Sequence, residues 1–368
     1  MPSIFFLTYN DAYSGVYKSQ VIDVCAYLSV ISNQEVKLIS FVSIRTYRDE
    51  KRKIKAAYSN SKVIPMFPKL KNWKWNKFTM KFIKIPPDST IMCRGVFATN
   101  LMLSVKKTAH RVAYDGRGAF AAEYDEYLDG NLLFNEPPED LERVAVIRSD
   151  FRLAVTKKLV EYWKSAYGYS GKNHCIVPCT LSMDAKSDEP IPDLGFASND
   201  VIFAYAGSSA KWQSFDLVED FLSEMFESNP KAKALLLTRV DKPLDIQLKY
   251  PDRIKVAWVK PNQVHGYLNL CDYGILLRNK SVTNQVASPT KYAEYLSAGL
   301  KVIISKHIGD YAELNEKNEL GFNLDDDGFK GLTFNKLTSS DKEKLTKYAQ
   351  SNYTKTSFDS EYLTLLNL

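Results

Sequence analysis

Cysteine and histidine are scarce in this sequence. Only five cysteines and four histidines occur in 368 residues. An odd and scattered set of cysteines argues against a disulfide framework. His174, Cys175 and Cys179 lie close together, but no second pair of ligands follows them at a spacing typical of zinc sites. We therefore expect neither a disulfide framework nor a bound metal.

Long hydrophobic runs are also missing. No apolar stretch approaches the roughly 20 residues that a membrane-spanning helix needs. The chain opens on Ile4 to Leu7 with no basic residue before them and soon reaches Asn10 and Asp11. That opening is typical of a first buried strand and not of a signal peptide. The expectation is a cytoplasmic protein.

Two further absences narrow the range of functions. The dinucleotide-binding fingerprint GxGxxG does not occur, which argues against a nicotinamide-dependent enzyme. The net charge is only +6 and no recognised nucleic-acid motif is present, so nucleic acid is not an expected partner. A modest positive excess is compatible with anionic ligands or a membrane surface.

Short apolar runs alternate with helical patterns in both halves of the chain. This alternation predicts an α/β protein with two doubly wound, Rossmann-like parallel sheets, which would face each other across a cleft. A polar, proline-bearing stretch at residues 181–200 is the predicted linker. We predict an N-terminal domain over residues 1–180, a C-terminal domain over 181–350, and a helical tail over 351–368 that packs back on the first domain.

The predicted elements follow this alternation. Strands are expected at residues 4–9, 36–42, 63–65, 90–93, 111–114, 175–177, 201–206, 234–237, 254–257, 273–277 and 302–304. Helices are expected at residues 16–30, 51–58, 98–107, 215–227 and 262–270, with long helical stretches over 141–167 and 340–368.

Residues 288–304 are the most informative segment. They predict a loop, a helix that begins near Pro289, a stop at Gly299 and a buried strand. A helix start directs unpaired N–H groups and a positive dipole end at whatever lies before it. Lys291 adds a positive charge there, and Glu294 follows one turn later on the same face. This combination suits a bound diphosphate, with the carboxylate placed to accept hydrogen bonds from a sugar hydroxyl.

The plain alternative is an ordinary capped helix with a Lys–Glu pair on its surface. Arg278 argues against this alternative because it follows the preceding predicted strand, at the sheet edge where ligands bind in such folds. The polar loop 282–287 is also long enough to close over a ligand.

Glycine-containing loops follow two other predicted strands. Gly207 and Ser208 permit a close approach of the backbone to a ligand, and Lys211 is placed to reach a phosphate. A plain strand-to-helix turn is the alternative. Tyr13 and Gly15 follow the first strand, where the single glycine is a weaker signal of the same kind.

Another charged loop, residues 114–118, contains two glycines beside Asp115 and Arg117, at the end of a predicted strand. Arg94 ends the neighbouring predicted strand, and Glu123 lies further along the chain. We expect Arg94 to share one cleft with the loop. A turn that carries a structural salt bridge is the alternative.

Residues 66–85 interleave lysines with aromatic residues. Lys71, Trp73, Trp75, Lys77 and Phe78 are the candidates for contact with an anionic bilayer, because lysine together with tryptophan or phenylalanine suits its interface. One alternative is a solvated face whose aromatic rings pack into the core. Binding of single-stranded nucleic acid is the other.

The stretch from Leu277 to Ile304, with its Ser-Pro-Thr-Lys-Tyr-Ala-Glu run, resembles the GT-B glycosyltransferases of family 4, in the branch with an SPTK-type loop. The loops at 114–118 and 205–213 support the resemblance, which covers essentially the whole chain. It implies a retaining glycosyltransferase that moves a sugar from a nucleoside-diphosphate sugar to a hydroxyl of a glycan or lipid-linked acceptor. Bacterial surface polysaccharide synthesis at the inner face of the cell membrane is the implied setting.

The resemblance also implies roles for individual residues. The donor nucleotide would bind the C-terminal domain, where Glu294 would contact its ribose. The acceptor would bind mainly the N-terminal domain, where Tyr13, Arg94 and Glu123 are candidates for contact. The implied donor contacts are Gly15, Gly207, Ser208, Lys211, Arg278, Ser288, Pro289, Thr290, Lys291 and Glu294. The candidates for catalysis are Lys291, Glu294, Asp115 and Arg117. Positive groups at the diphosphate would take the place of a metal ion.

One departure from the family concerns Val286. Many members carry two glutamates with seven residues between them; the second corresponds to Glu294, but Val286 occupies the first position. The family's frequent cleft histidine is also absent, and Asp115 and Arg117 are candidates for that region. Two other functions remain open, a non-catalytic nucleotide-sugar-binding module and a GT-B nucleotide-sugar epimerase.

Overall fold

The computed structural model describes residues 3–67, 70–127, 135–184, 189–207, 213–239, 244–325 and 332–367. The chain divides into two compact units. Unit 1 comprises Met1–Met183, Val286–Ser288 and Lys355–Leu368, and unit 2 comprises Asp184–Gln285 and Pro289–Thr354. The chain thus first leaves unit 1 after Met183, within the stretch predicted to be a linker.

Seven parallel strands form the sheet of unit 1: β1 (Ile4–Tyr9), β2 (Lys37–Val42), β3 (Ser61–Pro65), β4 (Thr90–Arg94), β5 (Arg111–Gly116), β6 (Phe151–Ala154) and β7 (His174–Ile176). Their order across the sheet is β3-β2-β1-β4-β5-β6-β7. The winding therefore reverses between β1 and β4, and such a topological switch point is where ligands bind in doubly wound folds.

Six parallel strands form the sheet of unit 2: β8 (Val201–Ala206), β9 (Ala232–Leu237), β10 (Ile254–Ala257), β11 (Tyr273–Leu276), β12 (Lys301–Ser305) and β13 (Gly321–Leu324). Their order is β10-β9-β8-β11-β12-β13. The corresponding switch point lies between β8 and β11, which pair directly through Phe203–Tyr273 and Ala204–Gly274.

Helices connect the strands in both units. Unit 1 contains α1 (Gly15–Tyr17), a π-helical turn (Lys18–Ile22), α2 (Asp23–Ser32), α3 (Tyr47–Ala57), a 3-10 segment (Leu70–Trp75), α4 (Asn76–Lys81), α5 (Gly95–Leu103), α6 (Phe120–Tyr127), α7 (Pro138–Arg148) and α8 (Lys157–Tyr167). Unit 2 contains α9 (Phe215–Ser228), α10 (Asp245–Lys249), α11 (Pro261–Asn269), α12 (Val282–Gln285), α13 (Thr290–Ser297), α14 (Tyr311–Lys317) and α15 (Ser339–Asn352). A 3-10 turn (Lys355–Phe358) and α16 (Asp359–Leu366) belong again to unit 1.

Strand β1 illustrates why the sheets are parallel and internal. All six of its side chains are buried. Ile4 and Phe6 pack in one apolar cluster, and Phe5, Leu7 and Tyr9 pack in another. A strand that packs against apolar clusters on both faces has a continuous run of apolar residues. This is usual in parallel sheets that are covered by helices on both sides.

The prediction of two doubly wound parallel sheets is confirmed, with corrections to single elements. Strand β6 was predicted as part of one helical stretch over residues 141–167, because a short and fully buried apolar strand cannot be told from a buried helix by periodicity. Helices α4, α6, α10 and α14 and strand β13 were not predicted. The predicted loop 282–287 contains the helical turn α12, and its last two residues belong to unit 1.

Helix α13 is held against the sheet of unit 2 by Tyr295. Its ring is fully buried and lies over Gly274 of β11, where an added Cβ would come within 2.3 Å of the ring. The Tyr295 hydroxyl accepts a hydrogen bond from the amide of Ala206 at 2.9 Å and donates to the carbonyl of Ile275 at 3.3 Å. These contacts fix the helix start relative to the ends of β8 and β11.

Candidate functional site

The switch point of the unit 2 sheet brings together the residues that the sequence singles out there. Gly207 follows the last residue of β8, and Arg278 lies two residues after β11. Helix α13 begins at Thr290, with Pro289 as its N-cap and no side chain capping its first amides. A helix start without a side-chain cap leaves backbone N–H groups available to an anion.

The Lys291 side chain is enclosed at this edge. Only 7% of the residue is exposed. Its amine donates to Oε1 of Gln213 at 2.7 Å and lies 4.2 Å from the centroid of the Tyr205 ring. A Cβ at Gly207 would come within 2.2 Å of the amine nitrogen, so the absence of a side chain at Gly207 leaves space for the amine in this position. The alternative of a Lys–Glu pair on the surface is therefore wrong.

Burial changes the proton affinity of this amine. The pKa of Lys291 is lowered to about 7, chiefly by desolvation and next by the Arg278 guanidinium, while Glu294 opposes the shift. A cation removed from water is stabilised when an anion arrives beside it. The site therefore favours a ligand that carries negative charge.

Arg278 supplies a second buried cation. The residue is 8% exposed, and its guanidinium donates to Oδ1 of Asn284 on α12 at 3.2 Å. Its backbone amide donates to the hydroxyl of Ser305, at the end of β12. The guanidinium is thus positioned by two elements, and a rigid planar fork suits phosphate oxygens.

Glu294 lies one turn after Lys291 on α13 and is half-buried. Burial raises the pKa of its carboxyl group, and the Lys291 amine opposes that shift. Within the described ranges, no hydrogen bond or ion pair occupies the carboxylate. A half-buried carboxylate with open acceptor positions can bind the hydroxyls of a sugar.

The residues just before α13 have partners inside unit 1. The Ser288 hydroxyl accepts a hydrogen bond from the amide of Cys179 at 2.8 Å, and the Val286 carbonyl accepts one from the Thr156 hydroxyl at 2.9 Å. The segment 286–288 is therefore anchored by its own contacts. Only residues 282–285 of the loop that the sequence predicts to be long enough to close over a ligand belong to unit 2.

Two donor candidates, Ser208 and Lys211, lie outside the described residues. Three contacts of Lys291 and Arg278 were not singled out from the sequence as site residues. They are Tyr205, Gln213 and Asn284. Gln213 immediately follows the glycine-bearing loop, but its side chain reaches Lys291 from 78 positions away, a distance that no local pattern reveals.

The switch point of unit 1 also carries charged residues. Arg94 at the end of β4 pairs with Asp11 after β1 at 2.8 Å and with Asp115 in β5 at 3.4 Å. Arg117 pairs with the other oxygen of Asp115 at 3.3 Å. Arg94 therefore contacts the 114–118 loop through Asp115; that the two share one ligand-binding cleft stays a prediction. The alternative of a structural ion pair is realised, because Asp115 is only 1% exposed and both of its oxygens face guanidinium groups.

The remaining unit 1 candidates lie in different surroundings. Arg117 also contacts Oε1 of Gln20 and Sγ of Cys179. The backbone amide of Tyr13 donates to a carboxylate oxygen of Glu50, and Gly15 is the first residue of α1. The Glu123 side chain is exposed on α6, and no contact in the described part of the chain joins it to Asp115 or Arg117.

The basic and aromatic segment divides into two faces. Trp73 is buried and its indole N–H donates to Glu136, so its prediction as a membrane-surface residue is wrong. Trp75 and Phe78 are exposed, and Lys77 is half-buried. Lys71 lies within the 3-10 segment, and its side chain is outside the described residues.

Metal ligands and membrane spans were sought in the described residues. No group of three or more His, Cys, Asp and Glu side chains there could hold a metal ion. Nor does any described helix have the length and apolar character required to cross a bilayer.

Comparison with known proteins gives likeness in structure alone. No family model matches the chain, and no curated protein matches it in sequence. Sucrose-phosphate synthase from Thermosynechococcus elongatus has a TM-score of 0.69 and 10% identity over 99% of this chain and 98% of that one. The S. aureus TarM G117R mutant, in complex with Fondaparinux, alpha-GlcNAc-glycerol and UDP, has a TM-score of 0.64 and 9% identity over 100% of both chains.

The fold is the GT-B fold. A further GT-B likeness is a candidate UDP-N-acetylglucosamine 2-epimerase from Listeria monocytogenes, with a TM-score of 0.58 and 12% identity over 99% of this chain and 91% of that one. Because the identities are only 9 to 12%, the structural likeness establishes the fold and nothing beyond it. The chemistry of this GT-B chain depends on the side chains at its own site.

Proposed function

We propose that this protein is a retaining glycosyltransferase that uses a nucleoside-diphosphate sugar. The single observation that carries the proposal is the enclosed Lys291 amine at the unit 2 switch point, between Gly207 and Gln213. A buried amine with a lowered pKa, beside a second cation, is costly to maintain unless an anion occupies the site. The resemblance of residues 277–304 to the family 4 SPTK branch supports the same assignment.

The proposed chemistry is electrostatic. Negative charge grows on the departing diphosphate while the transferred sugar gains oxocarbenium character. Lys291, Arg278 and the start of α13 are directed at the place where that charge develops, and such preorganised groups accelerate reactions strongly. The proposal includes attack on the same face of the sugar, with the leaving phosphate helping to deprotonate the acceptor hydroxyl.

Glu294 has a separate role in this proposal. Its half-buried carboxylate accepts hydrogen bonds from the donor ribose, which orients the nucleotide without contributing charge stabilisation to the diphosphate. Loss of such a bond affects binding of donor and transition state alike, and therefore raises KM more than it lowers kcat.

The acceptor is proposed to be a glycan or a lipid-linked glycan in bacterial surface polysaccharide synthesis, with the enzyme acting on the cytoplasmic side at the inner face of the membrane. Tyr13, Arg94 and Glu123 of unit 1 are the acceptor-side candidates, and Arg117 is a candidate for catalysis beside them. Asp115 holds Arg94 and Arg117 in place.

A thermal-shift screen identifies the donor. UDP, GDP, dTDP and their sugars are tested, because a ligand that binds only the folded state raises the melting temperature. With that donor, Glu294→Ala should weaken binding about 10- to 100-fold, as expected for one lost hydrogen bond to a charged group. Lys291→Ala should lower kcat about 100- to 1,000-fold.

Glu316→Ala and Lys317→Ala on α14 are matched controls because both side chains are exposed. The controls should retain wild-type binding and turnover. Normal transfer kinetics in folded Lys291→Ala and Glu294→Ala variants would refute the assignment.

Two alternatives are separated by products. A nucleotide-sugar-binding module would give the thermal shift but no product with any acceptor. An epimerase, favoured by the likeness to the Listeria protein, would convert the nucleotide sugar in the absence of acceptor. Formation of a glycosylated acceptor, with release of the nucleoside diphosphate in equal amount, supports the transferase alone.

A further inference from the structure

Helix α4 and the turn before it have two apolar faces. Trp73, Asn76 and Met80 point inward and are buried, with Trp73 and Met80 in one cluster of the unit 1 core. Trp75, Phe78 and Phe82 recur at the complementary i, i+3, i+7 spacing and are 60%, 51% and 85% exposed. Residues at this spacing share one side of a helix, and we call this exposed set the aromatic face.

Exposed aromatic side chains are concentrated here. Of the five Phe and Trp side chains with large exposure in the described residues, four lie between positions 67 and 82. The fifth is Trp258 in unit 2. Single exposed apolar residues are common, but a contiguous group of them indicates an interaction site.

Positive charge surrounds the aromatic face. Residues 66–85 contain six lysines and no aspartate or glutamate. The amines of Lys77 and Lys81 lie 5.4 Å and 5.9 Å from the centroid of the Phe78 ring. Lys74 pairs with Glu136, whereas no ion pair involves Lys77 or Lys81 in the part of the chain that the structure describes.

A pocket with lysines on its walls continues this surface. It has a volume of about 400 Å³ and lies at the amino ends of β1, β2 and β3. The charged residues at the switch point of unit 1 lie at the other edge of the sheet, where the strands end. Lys37, Lys62 and Lys84 provide its charge, and Phe82 is shared with the aromatic face. Ile83 also lines it, and Phe5 and Ile39, which are almost fully buried, lie behind its surface. We call it the lysine pocket.

All three pocket lysines are exposed, and none has an acidic partner in the described ranges. The Lys37 amine lies over the Phe5 ring at 5.8 Å. The pocket thus combines apolar walls with uncompensated positive charge. A phosphate-bearing headgroup with an attached acyl chain has the complementary chemistry.

We propose that unit 1 docks on an anionic phospholipid membrane through the aromatic face and the lysine pocket. Trp75, Phe78 and Phe82 enter the interfacial layer, where aromatic rings and lysine stems are both stabilised. The lysine pocket takes a phospholipid headgroup. Contact of this kind is peripheral, because no described helix is long and apolar enough to span the bilayer.

Charge complementarity favours a membrane over a nucleic acid. Proteins that bind single strands stack successive bases on aromatic rings along a positively charged groove. Here the rings occupy the outer side of a short helix, and the charged pocket is lined with apolar side chains. Oligonucleotide binding is therefore a contrary outcome of the test.

The test is sedimentation of the full chain with vesicles of phosphatidylcholine alone or mixed with phosphatidylglycerol, at low and high salt. We expect binding only to the anionic vesicles and its loss at high salt, because exposed charges are screened. Trp75→Ser/Phe78→Ser/Phe82→Ser should abolish sedimentation. Lys37→Gln/Lys62→Gln/Lys84→Gln should weaken it about fivefold for each lysine removed.

Matched controls carry the same changes elsewhere. Trp258→Ser removes the one strongly exposed tryptophan of the described part of unit 2, and Lys231→Gln/Lys255→Gln/Lys317→Gln removes three exposed lysines of unit 2. Both should sediment like the wild type, and all variants should keep the wild-type melting temperature. Inorganic phosphate at millimolar concentration should not displace the vesicles.

Three outcomes overturn the proposal: no sedimentation at low salt, equal loss in the control variants, or a single-stranded oligonucleotide that competes fully with the vesicles. The proposal concerns unit 1 and does not depend on glycosyl transfer. Donor-induced thermal shift should be unchanged in the aromatic variant, so failure of membrane docking and failure of the proposed function are distinguishable.

Discussion

Lys291 lies in an environment that is unusual for a lysine. Its amine is buried beside Arg278 and is balanced by a half-buried carboxylate, and its pKa is lowered to about 7. Arg278 and Lys291 together exceed the charge of Glu294. A diphosphate anion would restore that balance, so ligand binding and protonation of Lys291 are coupled.

The coupling predicts that donor binding takes up a proton. Above pH 7 the free amine is largely neutral, and an adjacent diphosphate raises its pKa because it favours the charged form. The affinity for the donor should therefore fall as the pH rises from about 7 to 9, by up to about tenfold for each pH unit. Below pH 7 the amine is already protonated, so Lys291 should make no further contribution to the pH dependence. Calorimetry in buffers of different ionisation enthalpy measures the uptake.

Lys291→Met should bind donor weakly and take up no proton. Lys317→Met, which changes an exposed lysine of α14, should behave like the wild type. Affinity that stays constant from pH 7 to 9 with no proton uptake by the wild type would rule out the coupling.

Trp73 and Trp75 show what residue identity alone leaves open. Both lie in the same lysine-rich segment, and both were interpreted as membrane-surface residues. One is 4% exposed and the other 60% exposed. The two tryptophans are two residues apart in a helical turn, so their side chains point to different sides of it. Packing of the turn against the rest of unit 1 determines which of the two is buried.

At the scale of elements, α13 is the segment that positions the site. It begins where the proline predicts, and its buried face carries Tyr292 and Tyr295. Tyr295 reaches β8 and β11 through its hydroxyl. The missing side chain at Gly274 is what allows its ring to lie against the sheet.

Gly274→Ala should therefore destabilise the protein. The new methyl group would lie 2.3 Å from a fully buried ring, and overpacking of this kind costs about 1–3 kcal/mol. A domain of this size loses roughly 2–4 °C of melting temperature for each kcal/mol. Differential scanning fluorimetry should show a decrease of several degrees.

Gly118→Ala provides the control, because an added Cβ there meets no atom within 4 Å. Its melting temperature should change by less than about 1 °C. A Gly274→Ala protein as stable as the wild type would mean that Tyr295 does not hold α13 in the way described.

Most strands were predicted from periodicity, and the two exceptions have a common cause. Strand β6 has four buried residues between two helices, too few to display a period of two. Strand β13 has only one buried side chain among its four residues, so its apolar pattern is faint. Short elements are stabilised by their neighbours in the sheet and not by their own sequence.

At the scale of the whole molecule, each unit has a parallel sheet with its own switch point. Charged residues gather at both, Lys291 and Arg278 in unit 2 and Arg94 and Asp115 in unit 1. The unit 2 site has an excess of cations, whereas the unit 1 cluster pairs two arginines with two aspartates. This difference supports the proposal that the diphosphate binds unit 2.

The excess of cations leads to a prediction about metals. If Lys291 and Arg278 offset the diphosphate charge, transfer by the full-length enzyme should proceed in the presence of EDTA. Addition of Mg²⁺ should change the rate by less than about twofold, because Lys291, Arg278 and the start of α13 already offset the charge that a metal ion would stabilise. A loss of more than tenfold in EDTA that Mg²⁺ reverses would contradict this account.

The sequence by itself determined the two doubly wound sheets and the helix start near Pro289, because these depend on local periodicity and on the backbone preferences of proline and glycine. Only the tertiary structure decided that Gln213 contacts Lys291, that Asp115 lies between two arginines, and that Trp73 is buried while Trp75 is exposed. The physical reason is that contacts between residues far apart in the chain depend on how the elements pack, which no local pattern encodes.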